Sequence, residues 1–264
     1  MRSQVGRQRV AWQSVVALAL AAFVTMGSAH AETALVAAAS NFSEAATRIT
    51  DDFEIESGHQ IKVSLGSTGK LYAQIRAGAP FDVLLAADQR SPEKLAVEGL
   101  AIAASRFTYA VGRLTLWSAN PKRVAGDAKT LLANPAIRAI AIANPALAPY
   151  GLAARQALQK LGVWQQLGSR IVTAENVGQA FALTATGNAE LGFVATPLLE
   201  GKRGKALGGS RWEVPVQLHA PIRQDAVLLK RAEANKAARD FLVFLRGAKA
   251  RAIMARLGYN SATE

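Results

Sequence analysis

From residue 33 onward, short apolar runs rich in alanine, valine, isoleucine and leucine alternate with stretches whose apolar positions recur every three or four residues. Runs of the first kind suit strands buried on both faces, and stretches of the second kind suit amphipathic helices. The pattern predicts strands at 35–39, 61–65 and 82–86, with helices at 44–56 and 69–77 between them. Gly58 and Gly78 follow those helices, where a left-handed residue ends a helix. A second unit repeats the order: strand 137–143, helix 151–161 closed by Gly162, strand 170–173, helix 177–186 and strand 191–195. Two βαβαβ units imply an α/β protein of two lobes, each with a mainly parallel sheet flanked by helices.

Two extended stretches, 107–117 and 212–229, read as crossovers between the lobes, and amphipathic helices at 233–245 and 248–257 are assigned back to the first lobe. The expected organisation is a discontinuous lobe I, 32–110 with 224–264, and a lobe II, 111–223. Two crossovers make a hinge, and a hinge between lobes makes a ligand cleft. The glycine-rich stretch 201–209 is expected to be an exposed loop.

The first 31 residues follow a different pattern. Arg2, Arg7 and Arg9 precede an uncharged apolar run at 14–27, and Ala29 and Ala31 offer the small residues of a cleavage site. This is the arrangement of a secretory signal peptide, too short for a comfortable membrane span, so residues 1–31 are expected to be removed and the mature chain to be periplasmic. The absence of cysteine excludes disulfides, thiolate metal sites and lipid anchoring through a thiol. A net charge of +12 favours anionic ligands or an anionic surface. Nucleic acid is not expected, because lysine and arginine are scattered and the chain carries an export signal.

Candidate chemistry lies at the carboxyl ends of the strands, where open α/β sheets bind ligands. Four junctions look alike: Ser40-Asn41-Phe42-Ser43-Glu44, Gly66-Ser67-Thr68-Gly69, Pro149-Tyr150-Gly151 and Glu175-Asn176-Val177-Gly178. At the first, Asn41 is positioned to cap the helix and Glu44 to complete a capping box. Each junction taken alone reads as ordinary capping. Converging on one cleft, four helix N-termini would offer unpaired N–H donors and partial positive charge to an anion without any cationic side chain. Lys70 is expected to point along its helix, away from the ligand. A site built of donors suits an oxyanion that keeps no proton at neutral pH, whereas phosphate calls for an acceptor carboxylate. Glu44 and Glu175 are the carboxylates nearest these turns in sequence, and they leave that point open.

Several motifs, in order and at matching separations, resemble the periplasmic molybdate-binding proteins of molybdate ABC importers, the ModA-like family. They are Ala37-Ala38-Ala39-Ser40-Asn41-Phe42, Ser67-Thr68-Gly69 with Tyr72-Ala73-Gln74-Ile75 and Gly78-Ala79-Pro80, and Ala86-Ala87-Asp88. Ser105 to Ala110, Asn144-Pro145, Ala148 to Gly151 and Asn176 to Ala180 continue the series, so the resemblance covers nearly all of the chain after residue 31. It implies the type II periplasmic-binding-protein fold and an oxyanion, molybdate or tungstate, held by Ser40, Asn41, Ser67, Thr68, Tyr150 and the backbone N–H of Val177. It also implies a membrane permease and an ATPase as partners. Many family members carry a tyrosine after the last strand of the second lobe, where this chain reads Gly192-Phe193-Val194-Ala195; here the resemblance is to a branch in which Tyr150 supplies the phenol.

The rival readings are a binding protein for another tetrahedral oxyanion, such as sulfate or thiosulfate, and an enzyme. His59 and His219 are the only histidines beyond the N-terminal segment, and neither accompanies a nucleophile or a zinc-ligand pattern. His59 is expected at the surface, and Asp51, Asp52 and Glu54 on a solvated helix face. A DNA-binding regulator is disfavoured by the export signal and the lack of an N-terminal helix-turn-helix. A monomeric, non-catalytic protein without cofactor or bare metal cation is therefore the expectation.

Overall fold

A computed structural model describes residues 31–261. The expected signal peptide lies, up to residue 30, outside the described residues. Chain order runs β1 (Thr33–Ala39), α1 (Ser43–Ser57), β2 (Gln60–Gly66), α2 (Thr68–Arg76), β3 (Val83–Leu85), α3 (Arg90–Val97) and β4 (Phe107–Gly112). Next come β5 (Leu114–Ser118), α4 (Ala128–Ala133), β6 (Ile140–Ala143), α5 (Pro149–Lys160), β7 (Ile171–Ala174), α6 (Val177–Ala185) and β8 (Leu191–Ala195). The chain closes with α7 (Thr196–Glu200), α8 (Lys202–Leu207), β9 (Ser210–Glu213), β10 (Ile222–Leu228), α9 (Lys236–Arg246) and α10 (Ala248–Arg256).

Two five-stranded sheets result, in the orders β2-β1-β3-β10-β4 and β7-β6-β8-β5-β9. Both follow one plan. Three parallel strands in the order second, first, third are followed by one antiparallel strand, β10 or β5, and a fifth strand, β4 or β9, pairs antiparallel to that one and so runs with the first three. The chain leaves the first sheet after Gly112, enters the second at Leu114, and returns between Glu213 and Ile222. This is the two-lobed type II binding-protein fold.

The period-2 alternation of β1 explains why its sheet is buried on both faces. Ala34, Val36 and Ala38 pack with Phe42, Ile49 and Phe241 on one side, while Ala37 packs with Leu71, Ile75 and Leu95 on the other. Helix α9 turns Ala237, Ala238, Phe241 and Leu245 toward the first face, with Asn235 capping its start by accepting from Ala238 N–H at 3.0 Å. Removing a buried side chain such as Phe241 costs about 3–5 kcal/mol. Helix α1 stops at Gly58, whose φ of 72° only glycine adopts readily.

Two expectations are corrected. Residues 201–209 are not simply a loop, because α8 occupies Lys202–Leu207 within them. Gly204 is a packing glycine: a Cβ there would lie 2.3 Å from Leu198 O. His59 is buried, not superficial. Its Nδ1 accepts from Glu32 N–H at 3.1 Å and its ring stacks on Phe53, because the end of α1 folds it under the start of β1. Glu54, on the same helix, accepts from Ile61 N–H at 2.7 Å and so ties α1 to β2.

Candidate functional site

The turns that follow β1, β2, β6 and β7 meet where the two lobes touch. Ser40, Asn41, Ser67, Thr68, Tyr150 and Val177 are all buried, none more than 7% exposed. Contacts cross between the lobes here. Gly178 N–H donates to Ser40 Oγ at 3.2 Å, Gly69 N–H donates to Leu147 O at 2.8 Å, and Lys70 Nζ lies 2.9 Å from Glu175 Oε1. The lysine therefore reaches across the lobes and does not follow its own helix. The Glu175 charge opposite it supplies the reason.

The helix starts are built differently. Helix α2 begins after Ser67 and α5 after Ala148, and neither has a side-chain cap. Helix α6 is capped by Asn176, which accepts from Gln179 N–H at 3.0 Å. Val177 opens α6, at a position whose N–H has no intrahelical acceptor. The capping box expected at the first junction is absent. A short 3-10 turn, Ser40–Phe42, precedes α1, and neither Asn41 nor Glu44 caps the helix. Asn41 Nδ2 instead donates inward, to Gln224 Oε1 at 2.8 Å and to Tyr259 Oη at 3.2 Å, because a buried amide beside two buried acceptors is drawn to them. Glu44 lies 3.4 Å from Arg48. With Glu175 facing Lys70, both carboxylates nearest the turns are matched to cations.

The hydroxyls point to a ligand of acceptors. Ala87 N–H donates to Thr68 Oγ1 at 3.0 Å, and Gln224 Nε2 donates to Tyr150 Oη at 3.2 Å. Ser40 Oγ is already an acceptor from Gly178. A hydroxyl that accepts such a bond keeps its own hydrogen for another partner. Among the described residues, three buried side-chain atoms lack any hydrogen-bond partner, and two of them, Ser67 Oγ and Asn41 Oδ1, belong to these turns. Native proteins rarely leave such atoms orphaned, so their concentration here marks a place for something else to bind. Burial raises the Tyr150 phenol above its ordinary pKa, against the opposing Gln224 hydrogen bond, and raises Tyr109 and Tyr259 well above theirs. All three stay neutral donors at physiological pH.

Residues that the sequence reading missed form the floor of the site. Gln224 and Asp225 are buried polar residues of β10 that precede its apolar end and lie at a register shift against β4. Asp225 is buried and holds Arg106 Nη1 at 3.2 Å and Thr108 Oγ1 at 2.7 Å. Tyr259 Oη donates to Asn41 O at 2.9 Å. Three adjacent polar residues, Arg223-Gln224-Asp225, ahead of an apolar run were the available signal for the first pair; nothing local marks Tyr259. A cavity of about 430 Å³ on the first lobe, lined by Phe107, Arg246, Met254 and Tyr259 among others, includes none of the six turn residues.

Residues 34–260 match the model of the bacterial extracellular solute-binding proteins. The chain belongs to that family. It is 46% identical over 246 residues to the molybdate-binding protein ModA of Azotobacter vinelandii, covering 93% of this chain and 97% of that one. The ModA of Rhodobacter capsulatus is 44% identical, with coverage of 92% and 94%. At these identities the chain is a ModA-like solute-binding protein. The structure of the Azotobacter vinelandii periplasmic molybdate-binding protein superposes with a TM-score of 0.82 at 43% identity, covering 86% of this chain and 98% of that one. The sulfate-binding protein SubI of Mycobacterium tuberculosis has a TM-score of 0.69 at 13% identity, which speaks for the fold alone.

Proposed function

We propose that this solute-binding protein captures molybdate or tungstate between its lobes in the periplasm and delivers it to the permease and ATPase of an ABC importer. The observation that carries the reading is the set of uncommitted hydroxyl hydrogens on Ser40, Ser67, Thr68 and Tyr150 around buried turns without a cationic side chain. Such a set suits a fully deprotonated tetrahedral dianion. Identities of 46% and 44% to two molybdate-binding proteins favour the metal oxyanions over sulfate. The Val177 N–H and the uncapped start of α2 add donors with the favourable end of a helix dipole. Both hydrogens of the Asn41 amide are engaged internally, which leaves that residue its backbone N–H for the ligand.

In this reading the open lobes admit the anion and closure follows, because each lobe contributes donors available together only in the closed form. The protein binds and releases without chemistry or cofactor, and acts as a monomer after residues 1–31 are removed. The lobes hinge near 110/111 and 223/224. Isothermal titration of the mature protein with molybdate, tungstate, sulfate and phosphate tests the proposal. One-to-one binding of the first two is expected, and Thr68→Val or Tyr150→Phe should each weaken it by roughly 10- to 100-fold, the worth of a hydrogen bond to a charged group. Wild-type affinity in both variants would remove these residues from the site. A second reading has one observation in its favour. Asn41 Oδ1 is an orphaned acceptor, which an oxyanion carrying a proton could use, and heat from phosphate alone would select it.

A further inference from the structure

We propose that Gln224 is a positioning residue for the oxyanion site, a fixed amide bridge that aims the Tyr150 phenol of one lobe and anchors the Asn41 turn of the other. The inference rests on the oxyanion reading above. Gln224 is fully buried on β10, at the register shift against β4. Register shifts of this kind re-aim a side chain. Its Oε1 accepts from Asn41 Nδ2 at 2.8 Å and lies 3.1 Å from Tyr109 Oη, while its Nε2 donates to Tyr150 Oη at 3.2 Å. Only a group that accepts on one side and donates on the other satisfies both neighbours. Because the amide donates to the phenol oxygen, the phenol hydrogen is turned away from the floor and offered to the ligand.

Gly112 makes the arrangement possible. It lies opposite Ile222 in the β4–β10 pairing, and a Cβ there would stand 2.2 Å from Tyr150 Oη and 2.6 Å from Gln224 Nε2. Gly112 and Gln224, far apart in the chain, thus form one socket for the phenol. A carboxylate at 224 would still accept from Asn41, yet it would also take the phenol hydrogen. A methionine would fill the same space and do neither.

The test is calorimetric titration with tungstate of the wild-type protein, Gln224→Met, Tyr150→Phe, their double variant and Gln224→Glu, each checked for folding by thermal unfolding. Gln224→Met is expected to weaken binding about 10-fold or more in the wild-type background and by clearly less when Tyr150 is already phenylalanine, where only the Asn41 anchor remains to be lost. Gln224→Glu is expected to bind poorly near pH 8 and to recover as pH falls toward about 6, because a buried carboxyl titrates high and, once protonated, can donate to the phenol. The groups facing position 224 are the Asn41 amide and the neutral phenols of Tyr109 and Tyr150, with Tyr259 bonded to Asn41 and the neighbouring Asp225 paired to Arg106. The wild type should change little over the same range. Equal losses from Gln224→Met in both backgrounds, or a Gln224→Glu variant that shows no recovery, would overturn the assignment. If Gln224→Met does not fold, the pH profile of Gln224→Glu decides alone. A wild type silent toward all four anions overturns the oxyanion reading itself, and this inference with it.

Discussion

The start of α2, at Ser67-Thr68, and the start of α6, at Asn176-Val177, belong to different lobes and are joined through the Lys70–Glu175 pair. In sequence both are polar residues before an amphipathic helix. In the structure they have opposite roles. Asn176 spends its carbonyl oxygen on the Gln179 N–H and completes its own helix, whereas Ser67 caps nothing and its hydroxyl has no partner. A cap residue satisfied by its helix contributes stability, and one left unsatisfied in a buried place is available to a ligand. The second lobe thus presents backbone at this junction, and the first presents side chains.

The sharpest way to break that comparison is a pair of substitutions read in two assays. Ser67→Ala should lower anion affinity by roughly 10- to 100-fold while leaving the apparent Tm of the free protein unchanged or slightly raised, since it removes an orphaned buried hydroxyl. Asn176→Ala should do the reverse, losing about 1 kcal/mol of stability in denaturant titration with affinity within about twofold. Exchange of these two outcomes would show that the helix starts had been assigned to the wrong roles. A smaller effect is expected at the contact between them. Lys70→Ala should speed anion release by no more than about fivefold in stopped-flow measurements, and the difference should fade at high salt, because an ion pair about half exposed on both sides contributes roughly 0.2–1 kcal/mol. The smallest expected effect is none. Burial raises the Tyr150 phenol, so its neutral donor form persists to higher pH than that of a free tyrosine. Affinity should therefore stay flat from about pH 7 to about pH 10, where an ordinary phenol would already be about half deprotonated. A decline beginning near pH 9 would place the phenol in a wetter environment.

Much of the fold was legible because its signals are local. The strand expected at 191–195 is found at Leu191–Ala195, and the helix expected at 177–186 is found at Val177–Ala185. Glycine marked helix ends correctly at Gly58 but misled at 201–209, where Gly204 serves close packing within a helix. At the candidate site, the six residues named from the sequence are all buried at or beside the lobe contact. Their bonding was not legible. The capping box expected of Asn41 and Glu44 does not form, because partners remote in sequence bid more strongly for the Asn41 amide.

The sequence by itself determined the alternation of strands and helices, the two repeating units, the turns that could hold an anion and the family to which they point. Periodicity, glycine placement and short motifs act over a few residues, so a linear reading captures them. Only the tertiary structure decided which hydrogen each turn has free. Asn41 meets Gln224 across 183 residues and Tyr259 across 218, and Lys70 meets Glu175 across 105. Contacts over such separations leave no periodic trace in the chain. They exist because the returning chain adds β10 and its C-terminal end to the first sheet, and because the two sheets bring their strand ends to one place, where buried polar groups must find partners or wait for a ligand.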